Sequence, residues 1–224
     1  MTPPQQSLHA RSTGTDAKSE GVPIVFVVED DVSVRESLEL VIRGEGWQPK
    51  LFVSAQDFLV QPSPNSPCCL ILDLNLPGLN GLELQKQLTG RHYMPIVFIS
   101  GQADIPMSVQ AMKAGAIEFL TKPLQHDVLV KVIRDAIERS RHALLVDLEI
   151  RALRDRYESL TPREREVMAL VVTGLLNKQV AGQLGISEIT VKVHRGQMMR
   201  KMKAGSVADL VAMGAQLGLR PAFK

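Results

Sequence analysis

Pro23-Ile-Val-Phe-Val-Val28, with Glu29, Asp30 and Asp31 directly behind it, is the stretch that decides the fold. The run is too short for a buried helix and long enough for a strand. It does not alternate with polar residues, which suits a strand covered on both faces. The text that follows repeats this theme. Ser33 to Gly46 carries Val34, Leu38, Val41 and Ile42 at helical spacing, and Gln48 to Val53 reads as a second strand. Ser54 caps a short helix, with Asp57 at the capping-box offset. Cys68 to Leu72 is a third strand, Gly81 to Leu88 a helix, Pro95 to Ile99 a fourth strand, Pro106 to Ala114 a helix and Ile117 to Leu120 a fifth strand. A helix begins again at Gln125.

Strands and helices in strict alternation require right-handed crossovers, hence a parallel sheet with helices on both faces. The expected class is α/β: a flavodoxin-like (βα)5 unit over residues 22–139, preceded by a disordered polar tail over 1–21. The last helix has no reason to stop, because no Pro or Gly occurs from Asp127 to Glu158. Val146, Ile150, Leu153, Tyr157 and Leu160 form one apolar stripe there. Residues 140–158 therefore read as a helical connector. Residues 159–224 read as an all-α four-helix unit. Thr161, Pro162 and Glu164 open its first helix, Gly174 ends it, and Asn177 to Leu184 is the second. Gly185 makes a tight turn, Ser187 caps a third helix to about Lys203, and Ser206 caps a fourth.

The net charge of +2 hides a division. Residues 1–158 hold 16 basic against 20 acidic side chains, a balance of −4, whereas residues 159–224 hold 10 against 4, a balance of +6. Any nucleic acid should meet the basic end. Cys68 and Cys69 are adjacent and have no His or Cys neighbour at zinc spacing, so they read as reduced strand residues. Nothing approaches a membrane-spanning apolar run. The N-terminal stretch lacks the basic and apolar segments of a secretory signal. The expected location is the cytoplasm, with no membrane partner.

The strand ends carry the chemistry. Glu29, Asp30 and Asp31 leave the first strand, Asp73 the third, Ser100 the fourth and Lys122 the fifth. In a parallel sheet such tips converge at the carboxyl edge. Clustered carboxylates repel unless a cation neutralises them, and an all-oxygen donor set suits Mg2+. A carboxylate beside Mg2+ can accept a phosphoryl group. Lys122 and the Ser100 hydroxyl would then neutralise and hydrogen-bond the transferred oxygens. Each feature alone has an ordinary reading, as a helix cap, a turn residue or loop text. Their order and shared placement at strand ends argue against that reading for all of them together.

At these residues the chain resembles a known family. Val28-Glu29-Asp30-Asp31, Leu72-Asp73-Leu-Asn75-Leu-Pro77-Gly78, Ile99-Ser100-Gly101 and Leu120-Thr-Lys122-Pro123 resemble the receiver domain of two-component response regulators, in the FixJ/NarL group. The resemblance implies that Asp73 accepts phosphoryl from a sensor histidine kinase. It also implies that Asp30 and Asp73 ligate Mg2+ directly, Glu29 through water and Asn75 through its backbone carbonyl. Glu29 stands where Asp is usual. Ser100 and Phe119 would be the switch pair, and Met107, Gln110, Lys113, Ile117 and Phe119 the face on which two phosphorylated receivers form a homodimer. The protein would lose its own phosphoryl group slowly and turn over no substrate.

The basic end has the order helix, tight turn, helix, in which the second helix enters the major groove. Lys192, Arg195, Arg200 and Lys201 are expected to face outward, and Ile189, Met198, Met199 and Met202, with Val193 or His194, inward. Exposed basic side chains neutralise phosphates and read guanine. Leu160-Thr-Pro-Arg-Glu164, Asn177-Lys178, Leu184-Gly-Ile-Ser187 and Thr190-Val-Lys192-Val-His194 resemble the LuxR-type helix-turn-helix of the same family. By that resemblance Lys178 holds phosphate, Lys192 and Val193 face bases, and Thr190 lies with them. The implied function is phosphorylation-activated binding of double-stranded promoter DNA, with RNA polymerase engaged downstream.

Two other classes fit the sequence less well. A haloacid-dehalogenase-like phosphatase would carry its nucleophile on the first strand, with Asp two residues later; here the candidate is on the third, followed by Asn75. A ligand-sensing LuxR-type regulator would need an apolar pocket where this chain places carboxylates.

Overall fold

The structure is a computed structural model and describes residues 21–101 and 105–219. Two compact units divide between Arg141 and His142. The expected tail over residues 1–21 falls almost wholly outside the described residues.

The first unit alternates β1 (Ile24–Val28), α1 (Val32–Gly44), β2 (Gln48–Phe52), α2 (Ala55–Leu59), β3 (Cys68–Asp73), α3 (Gly81–Gln87), β4 (Ile96–Ser100), α4 (Ile105–Lys113) and β5 (Glu118–Thr121) before α5 (His126–Glu158). All pairings are parallel, in the order β2-β1-β3-β4-β5. Every residue of β1, β3 and β4 is buried, as strands covered on both faces require. Successive side chains go to opposite faces. Phe26, Val28, Leu70, Leu72 and Phe98 meet Phe58, Leu84 and Ala111 on one side. Val25, Val27, Ile71, Val97 and Ile99 meet Leu38, Ile42, Leu129 and Ile133 on the other. The adjacent cysteines obey the same rule, Cys68 on the first face and Cys69 on the second, and both are free. Burial pushes the Cys68 thiol up to about 11, so it carries little thiolate.

Local chemistry sets the helix starts. Asp31 Oδ1 accepts the N–H groups of Ser33 (2.8 Å) and Val34 (3.1 Å) at the head of α1. Asn80 and Glu83 form a reciprocal capping box on α3 that the sequence reading did not single out. Helix α5 runs unbroken through the division between the units. No helix among the described residues is long and apolar enough to cross a membrane.

The second unit contains α6 (Pro162–Val171), α7 (Asn177–Leu184), α8 (Glu188–Met202) and α9 (Val207–Gln216). Its core joins Val167, Met168, Val180, Val191, Met198, Met202 and Leu210. Leu153, Tyr157 and Leu160 pack into the same core, so the C-terminal turns of the connector belong to this unit. Gly185, at φ 64°, takes the left-handed conformation that turns α7 sharply toward α8.

Candidate functional site

The register of the sheet assembles the acidic pocket. Val28 pairs with Leu72, so Glu29 and Asp73 leave neighbouring strands side by side. Asp73 pairs with Ile99 and Ser100 with Thr121, which brings Ser100 and Lys122 to the same edge. The order reverses between β1 and β3, each neighbouring the other while their crossovers depart in opposite directions. Such switch points open a crevice at the carboxyl ends of the strands.

Lys122 Nζ donates to Asp73 Oδ2 and to Glu29 Oε2, both at 2.8 Å. Asp73 Oδ1 accepts the N–H of Asn75 at 3.1 Å, and Glu29 Oε1 accepts the N–H of Asp31 at 3.2 Å. Glu29 and Ser100 are fully buried, Asp73 nearly so, while Asp30 and Asn75 are exposed. Burial raises the Glu29 pKa above its ordinary value; the Lys122 ammonium opposes this and the negative charge of Asp73 adds to it. Burial works to lower the Lys122 pKa, but Asp73 and Glu29 outweigh it and hold the ammonium above its ordinary value. The causes differ: burial dominates at Glu29, whereas two carboxylates around one ammonium dominate at Lys122.

Carboxylate oxygens of Glu29, Asp30 and Asp73 lie within 4.8 Å of one another. Three carboxylates against one ammonium leave negative charge over, and the donors are all oxygen. The residues present therefore fit a hard divalent cation such as Mg2+. Arg35, which the sequence reading missed, braces the loop: its Nη1 donates to the carbonyl oxygens of Glu29 (2.7 Å) and Asp30 (3.2 Å). Only the three-dimensional turn brings this arginine back, so no sequence signal pointed to it.

Phe119 is half-buried and stacks on Phe98, its register partner, with ring centroids 6.4 Å apart. Gln110 and Lys113 are exposed on α4, and Met107 is half-buried against the first core. Ile117, just before β5, is half-buried against the second core, whereas Phe119 packs against the first. The sequence reading also missed Ile105, Val109 and Met112, all exposed apolar residues of α4. Their i, i+4, i+7 spacing was the available signal.

Ile189, Lys192, Val193, Gly196 and Arg200 recur at helical spacing along one exposed face of α8, and Glu188 and Lys201 at its ends are exposed as well. Ile189 is 75% exposed, which corrects the expectation that it packs inward; Val191, fully buried, takes that role. Met198 and Met202 are buried as expected, and Met199 is half-buried. Lys178 is exposed on α7. Thr190 lies with its hydroxyl 2.8 Å from Ser187 Oγ at the helix start. Two of the expected cations are held within the domain. Arg195 Nη1 donates to Asn177 Oδ1 at 2.8 Å, and Lys201 Nζ meets the buried Glu164 carboxylate at 2.7 Å. They sit on the flanks of α8, one toward α7 and one toward α6.

Comparison with known proteins agrees with both halves of this description. Residues 25–134 match the response regulator receiver domain, and residues 158–214 match the bacterial regulatory proteins of the luxR family. Nodulation protein W of Bradyrhizobium diazoefficiens is 45% identical over 93% of this chain and 92% of its own. The solved response regulator StyR is 44% identical, with a TM-score of 0.75 over 88% of this chain and all of that one. Full-length FixJ from B. japonicum is 35% identical, with a TM-score of 0.51 over 88% of this chain and 98% of its own.

Proposed function

This chain belongs to the two-component response regulators that join a receiver to a LuxR-type DNA-binding domain, and on that premise we propose that Asp73 is the residue that switches it. The protein is a phosphorylation-dependent transcriptional regulator, with a sensor kinase and DNA as its partners. In the proposed reaction a carboxylate oxygen of Asp73 attacks the phosphorus of the kinase phosphohistidine. The P–N bond breaks, its electron pair returns to the imidazole, and an aspartyl phosphate forms.

The observation that carries this reading is Lys122 Nζ placed 2.8 Å from Asp73 and from Glu29 at once. It supports the reading because a positive charge beside Asp73 would neutralise arriving phosphoryl oxygens. Glu29, Asp30, Asp73 and the Asn75 carbonyl would hold Mg2+. Bound there, Mg2+ supplies neutralisation of the transferring group. The Ser100 hydroxyl donates to the new phosphoryl oxygens, and Phe119 fills the space that Ser100 leaves. These moves shift a population between two packings of α4 and β5. Two receivers then pair on the α4–β5 face, through Met107, Gln110 and Lys113 beside the exposed Ile105, Val109 and Met112. Pairing presents two α8 helices to a two-fold symmetric promoter site. The cytoplasm, where RNA polymerase is reached, is the proposed location.

The deciding experiment uses a small-molecule phosphodonor with Mg2+. Asp73→Asn should abolish acid-labile labelling and leave sedimentation and operator binding blind to the donor. Undiminished labelling of that variant would place the phosphoryl group elsewhere.

A further inference from the structure

At the end of the sheet where β4 and β5 begin, the receiver carries a second cleft of about 510 Å3. Its walls come from the end of α3, the α3–β4 loop, the α4–β5 turn and Arg139 of α5. The volume falls in the range of small-molecule sites. Ile96 and Ile117 supply apolar surface. Lys86, Arg91 and Arg139 line the cleft with the His92 imidazole, and among the described residues no Asp or Glu does. None of these four is ion-paired among the described residues.

A second and independent feature lies in the same wall. Gln85 is 5% exposed. Its Nε2 donates to the Ala111 carbonyl at 3.1 Å, across the gap between α3 and α4. Its Oε1 is buried and has no hydrogen-bond partner among the described residues. Buried acceptors are nearly always satisfied, and a lone one in a cleft wall favours an incoming N–H or O–H.

We propose that this cleft binds a small organic anion that also carries a hydroxyl or N–H group. The donor bonds Gln85 Oε1, the hydrocarbon body lies on Ile96 and Ile117, and the anionic end meets Arg139, Arg91 and Lys86. Nothing in this assignment depends on Asp73 being the phosphoacceptor, since the cleft lies away from the strand ends that hold the carboxylates.

The test is a titration of the full-length 15N-labelled protein, at fixed ionic strength, with 6-hydroxyhexanoate and 4-hydroxybenzoate. Hexanoate and benzoate are the controls lacking the donor. At least one hydroxy acid should shift the amides of Gln85, Leu88, Ala114 and Ile117 saturably. Its control should bind about tenfold more weakly, because it leaves the buried acceptor unpaired. Arg139→Ala, which removes an exposed side chain without an ion pair, should weaken binding about three- to fivefold. Gln85→Leu should abolish the preference for the hydroxy acid. If that variant misfolds, the controls and Arg139→Ala still decide. No saturable shifts with either hydroxy acid, equal binding of the controls, or unchanged binding by Arg139→Ala would each overturn the assignment.

Discussion

Lys122 Nζ lies 2.8 Å from Oε2 of Glu29, a carboxylate with no exposed surface. The Glu29 side chain thus ends on the lysine that also holds Asp73. Lysine and glutamate neutralise each other only in part, because the ammonium is shared. The pair is a charged frame with one carboxylate in excess, and breaking such a frame at one member leaves the other exposed to an imbalance.

Glu29→Gln removes one of three carboxylates while keeping the shape of the side chain. The Mg2+ concentration that half-saturates phosphodonor labelling should rise about tenfold, in line with the loss of a group that supports a metal site. Labelling at saturating Mg2+ should survive, since Asp73 and Lys122 remain. A Mg2+ dependence identical to the parent would show that Glu29 serves the lysine alone.

Gly81 allows the helix that carries it to lie directly on the strand that ends in Asp73. A Cβ added there would fall 2.6 Å from the Asp73 carbonyl oxygen and 2.9 Å from the Phe98 ring. The first obstacle is backbone in a fully buried strand and cannot swing aside. Gly81→Ala should therefore destabilise the receiver by about 1–3 kcal/mol through overpacking. Urea unfolding followed by the fluorescence of Trp47, the single tryptophan, reads this directly. A midpoint equal to that of the parent would show that α3 can shift without cost.

How much of this was legible in the sequence differs by element. The buried strands were readable because apolar runs bounded by Gly, Pro and carboxylates have few alternatives. Glu29, Asp73, Ser100 and Lys122 were readable because strand ends gather at one edge of a parallel sheet. Arg35 was not, because its contact is with carbonyl oxygens and depends on the path of the loop. The inward face of α8 was misplaced at Ile189. Apolar character alone suggested burial, yet the position falls on the same stripe as Lys192 and Arg200. Lys201 and Arg195 read as free cations because their partners, Glu164 and Asn177, lie 37 and 18 residues away. Charge counts along one helix do not reveal a partner on another.

Lys178 and Lys192 are both exposed, on different helices, and should fail differently. Lys178→Ala should weaken binding to all duplexes alike and reduce the slope of log K against log salt by about 1, the loss of one phosphate contact. Lys192→Ala should cost about 1–3 kcal/mol on the operator and relax its sequence preference. Fluorescence anisotropy with operator and scrambled duplexes at several salt concentrations separates the two. Equal losses on both duplexes for Lys192→Ala would move that lysine from base edge to backbone.

Glu164 ties the start of α6 to α8, accepting the Thr161 N–H at 2.8 Å and meeting Lys201 at 2.7 Å. Burial pushes its pKa up, but Lys201 and the Thr161 N–H prevail and hold it below the ordinary carboxylate value. A lowered folded pKa means that the unfolded chain takes up a proton first as pH falls. The stability that Glu164 contributes is thus complete above the ordinary carboxylate pKa of 4.5 and disappears as pH drops through the lower folded value. Lys201 is 38% exposed, so solvent screens part of its share. Glu164→Gln should cost the second unit about 1–3 kcal/mol at neutral pH. The gap from the parent should narrow progressively below the carboxylate range. Circular dichroism melts of the full chain report the helical unit, while Trp47 fluorescence reports the receiver and should show no difference between parent and variant. A gap that stays constant down to strongly acidic pH would show that the charge of Glu164 contributes nothing and that its shape alone holds the two helices.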